Sequence, residues 1–244
     1  MSPQAGLFIT GTDTGVGKTY VTALLARSLA AGGYKVGVYK PVASGCQWVQ
    51  GKLQSEDAAA LWQAAGRPGE LDRVCPQCFA APLAPHLSAR AEGKQVDASL
   101  LRTGLRYWRD RSEIVLVEGA GGLLSPISDD DFVADLAFEF GFPLIVVAAN
   151  RLGTINATLQ TLLATAHYGK GLCVAGVILN EAAPPSDSAD PSRSSNLQEL
   201  QHRCAVPVLA HVDWLATQLG NGVDGTTLAG WAGTGERRRR KDEG

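Results

Sequence analysis

Gly11-Thr12-Asp13-Thr14-Gly15-Val16-Gly17-Lys18-Thr19 follows the apolar run Leu7-Phe8-Ile9 and opens a helical pattern lasting from Lys18 to about Ala31. A strand, a glycine-rich turn and a helix N-terminus in that order make an anion site. Unpaired backbone N–H groups and the positive end of the helix dipole converge on one spot. Lys18 adds a point charge for terminal phosphates, and the Thr19 hydroxyl is of the type that ligates Mg2+. The stretch reads as a nucleoside-triphosphate loop. Its spacing departs from the general pattern G-x-x-x-x-G-K-[ST], which would put the first glycine at Thr12; here it stands one residue earlier, at Gly11.

Working outward, Gly32-Gly33 stops the helix and Lys35 to Tyr39 reads as a second strand. It delivers Lys40-Pro41-Val42-Ala43-Ser44-Gly45 at its carboxyl end, where ligands bind in open parallel sheets. After a polar loop, Ser55 is placed to cap a helix that carries Asp57 in its first turn. Pro76 to Pro85 is a proline-rich connection, and Val96 to Arg109 is helical, with Leu100, Leu101, Leu105 and Trp108 recurring on one face. The apolar strand Ile114–Val117 ends in Glu118-Gly119-Ala120-Gly121-Gly122, a carboxylate followed by glycines that can hold Mg2+ directly or through water. An acidic loop, Ser128 to Asp131, is expected to cap the helix Phe132–Phe140.

The strand Pro143–Ala149 leads into Asn150-Arg151-Leu152-Gly153-Thr154-Ile155-Asn156 and a helix to about His167. Gly153 and Thr154 would leave free N–H groups there, a second potential anion site. A strand Leu172–Leu179 ends in Asn180-Glu181, and residues 182–195 are expected to form a surface loop. The helix Asn196–Cys204 and the strand Val206–Leu209 complete the alternation. The expectation is one α/β domain over residues 1–219, a mostly parallel sheet with helices on both faces. Residues 220–244, with the run Arg237-Arg238-Arg239-Arg240-Lys241, read as a flexible basic tail. Lys18, Thr19, Lys40, Ser44, Asp57, Glu118 and the Asn180 turn gather on one sheet edge. Two lysines and three potential Mg2+ ligands beside a phosphate loop describe phosphoryl transfer.

A net charge of -2 gives no basic field pointing to nucleic acid. The longest apolar runs are strand-sized, far too short for a bilayer, and no signal peptide is expected before the first strand, so a cytoplasmic location is expected. Five cysteines suggest no disulfide framework. Cys75-Pro76-Gln77-Cys78 has the C-x-x-C spacing but no second pair to complete a zinc site.

With Gly11 to Thr19, Tyr39-Lys40-Pro41-Val42-Ala43-Ser44-Gly45, Asp57-Ala58, Phe79-Ala80-x-Pro82-x-x-Pro85-His86, Val115 to Gly122, Leu152-Gly153-Thr154-Ile155-Asn156 and Asn180, the chain resembles the dethiobiotin synthetases from Phe8 to about Leu215. The early glycine of the phosphate loop is that family's own spacing. The resemblance implies a P-loop fold and an ATP- and Mg2+-dependent joining of CO2 to 7,8-diaminopelargonic acid through a carbamate and a carbamic–phosphoric anhydride. It implies a cytoplasmic homodimer with no nucleic-acid or membrane partner. Lys40 and Lys18 would be catalytic, and Thr19, Asp57 and Glu118 would hold the metal. ATP would meet Thr14, Gly15, Val16, Gly17, Lys18, Thr19 and Tyr20 in the first loop, Glu118, Gly119, Ala120 and Gly121 in the second, and Asn180 with Glu181. Ser44 would contact the diamine or carbamate, while Gly153, Thr154 and Asn156 of the partner would take the substrate carboxylate. Glu181 stands where Asp is common, Gly15 replaces an acid found in some members, and Val212-Asp213-Trp214-Leu215 lacks the usual proline. Partition-type ATPases look similar but carry a lysine where Asp13 stands here. Amidating ligases of the cobyrinate type need a glutamine-hydrolysing domain, for which the chain is expected to be too short.

Overall fold

Apolar segments separated by helix-forming ones become the strands of a six-stranded sheet. The computed structural model describes residues 5–184, 190–220 and 222–233. From β1 (Ala5–Gly11) the phosphate loop leads to α1 (Lys18–Ala31) and β2 (Val36–Tyr39). A hairpin of β3 (Gln47–Val49) and β4 (Lys52–Gln54) precedes α2 (Glu56–Ala64), α3 (Leu71–Val74), α4 (Pro85–Ala91) and α5 (Ala98–Arg109). Then come β5 (Ile114–Gly122), α6 (Val133–Phe140), β6 (Leu144–Ala149), α7 (Thr154–His167), β7 (Val174–Asn180), α8 (Arg193–Arg203), β8 (Val208–Val212) and α9 (Gly225–Ala232).

The main sheet has the order β2-β5-β1-β6-β7-β8, and every pairing in it is parallel. The strand residues Leu7–Ile9, Ile114–Val117 and Leu144–Ala148 are buried, as continuous apolar runs covered by helices on both faces must be. Parallel strands all end at one edge, so Lys40, Glu118, the phosphate loop, Asn150 and Asn180 share it. Trp108 is core: its ring is buried and its indole N–H donates to the Arg73 carbonyl at 3.1 Å.

Several expectations are corrected. The fifth strand does not stop at Val117 but runs through the glycines to Gly122, because its ladder with β1 continues to the pair Gly11↔Gly122 across a register shift. The polar stretch after Gly45 holds the hairpin, turned at Gln50 and Gly51 with φ of 49° and 80°, the backbone of a type I′ turn. Pro85 belongs not to an irregular connection but to the first turn of α4, where its missing N–H costs nothing. The acids of the 128–131 loop do not cap α6; Asp135 accepts from the Phe132 N–H at 2.7 Å, while Asp131 pairs with Arg102 at 2.7 Å. The tail expected from residue 220 is instead helical over α9, where Leu228 is fully buried and Gly225 lies against Gly32 at the end of α1. The basic run Arg237–Lys241 lies outside the described residues. No described helix is long and apolar enough to cross a membrane.

Candidate active site

The phosphate loop is shaped by what glycine lacks. A Cβ on Gly11 would lie 2.8 Å from Val16 Cγ2, 2.9 Å from the Asp13 carbonyl oxygen and 3.1 Å from Lys18 Nζ. The chain turns back over its own first residue, and only a hydrogen fits there. Gly15 and Gly17 hold φ of 73° and 86°, left-handed values that glycine adopts without strain. A Cβ on Gly17 would also meet Asn180 Nδ2 at 2.1 Å. That amide belongs to a strut: Asn180 Nδ2, at the end of β7, donates to the Val16 carbonyl at 3.0 Å. Thr14 and Gly15 are exposed at the crest, Val16 is buried beneath it, and Lys18 Nζ reaches back to the Asp13 carbonyl at 2.9 Å.

Beside the loop lies a compact charge cluster. Lys40 Nζ is 2.5 Å from Glu118 Oε1 and 2.7 Å from Asp57 Oδ2, and the same Glu118 oxygen accepts from the Thr19 hydroxyl at 2.9 Å. Asp57 is carried there by α2, whose N-terminus is set by Ser55 Oγ accepting from the Ala58 N–H at 3.2 Å. Burial works against the charge on Lys40, but the Glu118 and Asp57 carboxylates outweigh it and raise its pKa. Burial also opposes ionisation of Asp57, and Lys40 more than compensates, holding that carboxyl below its usual range. Lys18 behaves oppositely: burial, with Lys40 nearby, pulls it down to about 8 against the attraction of Glu118. The second Glu118 oxygen, Oε2, is buried and has no hydrogen-bond partner. A buried carboxylate oxygen left without a donor or a ligand is costly, although Lys40 already balances the charge through Oε1. Oxygen ligands from Glu118, Asp57 and the Thr19 hydroxyl are the set that suits Mg2+.

Lys40, Asp57, Glu118, Lys18 and Thr19 are therefore brought together, with Gly119, Ala120 and Gly121 on the strand that adjoins the loop. Ser44 is half-buried in the segment after β2. Tyr20 follows Thr19, and its hydroxyl donates to the Ala216 carbonyl. Gly153, at φ 91°, begins α7; it and Asn156 are exposed, whereas Thr154 is buried with its hydroxyl unpartnered. Glu181 is held by Arg193, by His211 Nε2 at 2.8 Å and by the Asn150 amide. Burial opposes its charge, and those hydrogen bonds nonetheless keep its pKa low. Sequence reasoning missed Arg193, Asn150 and His211. With Asp213 and Trp214, Glu181 and Arg193 line an open cleft of about 710 Å³.

A parallel sheet whose first strand runs through a glycine loop into a helix bearing Lys-Thr, with a carboxylate on the adjacent strand, defines a P-loop nucleotide-binding protein. The fold comparison agrees: a ParA-family ATPase from Chlorobium tepidum superposes with a TM-score of 0.53 at 15% identity, covering 95% of this chain and 98% of that one. The family model described as AAA domain matches residues 5–220. Among curated proteins, the ATP-dependent dethiobiotin synthetase BioD of Rhodopirellula baltica is 47% identical over 216 residues, 84% of this chain and 82% of that protein. The one from Aromatoleum aromaticum is 38% identical over 88% of this chain and 93% of its own length. The Escherichia coli K12 protein BioD 1 is 34% identical over 89% and 94%. The chain belongs to the ATP-dependent dethiobiotin synthetase family.

Proposed function

We propose that the protein makes dethiobiotin from 7,8-diaminopelargonic acid, CO2 and ATP, as an ATP-dependent cyclo-ligase of biotin biosynthesis. The observation that carries the reading is the Lys40 ammonium between Glu118 and Asp57, directly beside Lys18 and Thr19 of the phosphate loop. One amine of the substrate adds to CO2, forming a C–N bond and a carbamate and releasing a proton. The carbamate oxygen attacks the γ-phosphorus of ATP, and ADP leaves. The second amine then attacks the carbamoyl carbon, expelling phosphate and closing the cyclic urea.

Lys18 and Lys40 lower the cost of bringing a carbamate against a triphosphate, both anionic. The N–H groups of residues 14–19 cradle the phosphates. Ser44, four residues beyond Lys40, meets the diamine or carbamate. Thr19, Asp57 and Glu118 would hold Mg2+, which supplies charge neutralisation to the phosphates when bound. The adenine lies at the Asn180-Glu181 end, where the cleft lined by Glu181, Arg193 and Trp214 has room for it. The substrate carboxylate is taken by Gly153, Thr154 and Asn156 of a second copy in a homodimer, a role supported by the exposed α7 start with Leu152 78% exposed beside it. The cytoplasm is the proposed location.

Phosphate release by the purified protein, with diamine, bicarbonate and Mg2+ withheld in turn, tests the reading. Turnover is expected only with all three present. Full-rate hydrolysis without diamine would overturn it.

A further inference from the structure

The C-x-x-C segment is not a bystander loop. Cys75, Cys78 and Cys46 are free thiols gathered under the Lys40–Ser44 segment. The Cys78 thiol lies 3.7 Å from Cys75 Sγ, while the Cys46 thiol donates to the Ala43 carbonyl at 3.6 Å. Residues 74–79 form a strap alongside residues 40–46. The Lys40 N–H donates to the Val74 carbonyl at 2.8 Å, the Ala43 N–H to Gln77 at 2.9 Å, and the Cys46 N–H to Phe79 at 3.0 Å. The strap returns one bond, from the Phe79 N–H to Ala43 at 3.0 Å. It is anchored from behind by Gln77, whose side chain exchanges two hydrogen bonds with the backbone of Asp97 at the head of α5. Among the described residues no group of three His, Cys, Asp or Glu is arranged to hold a metal ion. The geometry therefore favours sulfur–sulfur chemistry over ligation.

We propose that Cys75 and Cys78 are a reversible redox pair, and that their disulfide displaces the strap and with it the Lys40–Ser44 segment, switching turnover down. With a low-molecular-weight disulfide such as oxidised glutathione, the Cys78 thiolate attacks one sulfur and expels a glutathione thiolate. The Cys75 thiolate then displaces the second glutathione from the mixed disulfide. One S–S bond breaks and one forms, the protein loses two electrons, and the two thiol protons end on the two glutathiones. The sulfurs must close from 3.7 Å to about 2.05 Å. Closing the turn moves the backbone on both sides of it, so the carbonyls of Val74 and Gln77 shift under Lys40 and Ala43. A displacement of about 1 Å in an element that positions reactants costs up to ~100-fold in rate. The Cys46 thiol favours the Cys78 thiolate, but Cys75 and burial prevail and push Cys78 up to about 12, so oxidation is slow at neutral pH and faster in alkali.

The disulfide itself is independent of the synthetase reading; its effect on turnover rests on that reading, and the two are read separately. The reduced full-length protein is treated with oxidised glutathione at alkaline pH, free thiols are alkylated, and the tryptic peptide spanning residues 74–90 is weighed. The expected result is that peptide lacking two hydrogens and unalkylated, with diamine-dependent turnover lowered about tenfold and restored by dithiothreitol. Cys78→Ala, and separately Cys75→Ala, should keep reduced-state turnover and lose the response to oxidant, while Cys46→Ala keeps the response. Alkylated Cys75 and Cys78 after oxidation, a mixed disulfide that never closes, or a closed disulfide with unchanged turnover would each overturn the proposal.

Discussion

Lys40 is nearly out of reach of water and stands between two carboxylates, one fully buried and one half-exposed. Replacing it by glutamine leaves the Glu118 carboxylate buried opposite a neutral amide. Removing one member of a buried pair costs ~3–5 kcal/mol, and the solvent at Asp57 keeps the loss at the low end. Lys40→Gln is therefore expected to abolish product formation and also to lower unfolding free energy by about 3 kcal/mol in urea titrations. Mg2+ should restore part of that stability in the variant, because it offers the carboxylates another cation; an unchanged midpoint without Mg2+ would contradict the pairing. Lys18 gives a pH signature. In the free protein it titrates near 8, below the ordinary 10.5, so its contribution to stability rises with pH between those values. A bound triphosphate favours the ammonium and raises that pKa, so binding near pH 8 should take up about half a proton per site. Calorimetry of ATP binding in buffers of different ionisation enthalpy reads this directly, and Lys18→Met should remove it.

Between β7 and the phosphate loop the Asn180 side chain makes a direct connection. The Asn180 amide holds the Val16 carbonyl, and the absent Cβ of Gly17 leaves it room. Asn180→Ala should lower the melting temperature by about 2–4 °C, the equivalent of ~1 kcal/mol for one lost hydrogen bond, and raise the KM for ATP as the loop loses its strut. Elements that announce themselves by pattern were legible in the sequence: the doubly covered strands as apolar runs, α5 by its apolar face, the phosphate loop by its glycines. The extension of β5 was not legible, because Glu118-Gly119-Ala120-Gly121-Gly122 has neither alternation nor a β-branched residue, and only its ladder with β1 makes it strand. The hairpin was hidden because Gln50-Gly51 is a weak form of the Asn-Gly signal. In α9 mostly small residues fill the sequence, with Leu228 fully buried and Trp231 partly buried against the core, too few large apolar positions to show a helical period. The charge cluster was legible because motifs flag its members singly. The contacts of Glu181 were not, since Asn150, Arg193 and His211 arrive from three separate segments, one of them within a stretch that reads as surface loop.

Across the whole molecule, the strand order sets out the candidate site residues in sequence along one edge. Lys40 follows β2, Glu118 lies in β5 and the phosphate loop follows β1, so the charge cluster falls on one side; Asn180 ends β7, and Glu181 and the cleft at Trp214 follow β7 and β8 on the other. The packing that supports this edge extends past the expected domain boundary to α9. Leu228→Ala should cost ~2–4 kcal/mol, seen as a lowered melting temperature. The seam where Gly11 faces Gly122 has a different kind of consequence, one for how the site can change over generations. At Gly119 an added methyl would press on Val133 Cγ1 at 2.7 Å, a side chain that another substitution can shrink. Gly119→Ala should thus be rescued by Val133→Ala, with melting temperature and turnover both recovering. At Gly11 the obstacle includes the Asp13 carbonyl, 2.9 Å away, which no second mutation removes. Innovation in this scaffold is open around Gly119 and closed at Gly11: a lineage that loses that glycine has no compensating step back.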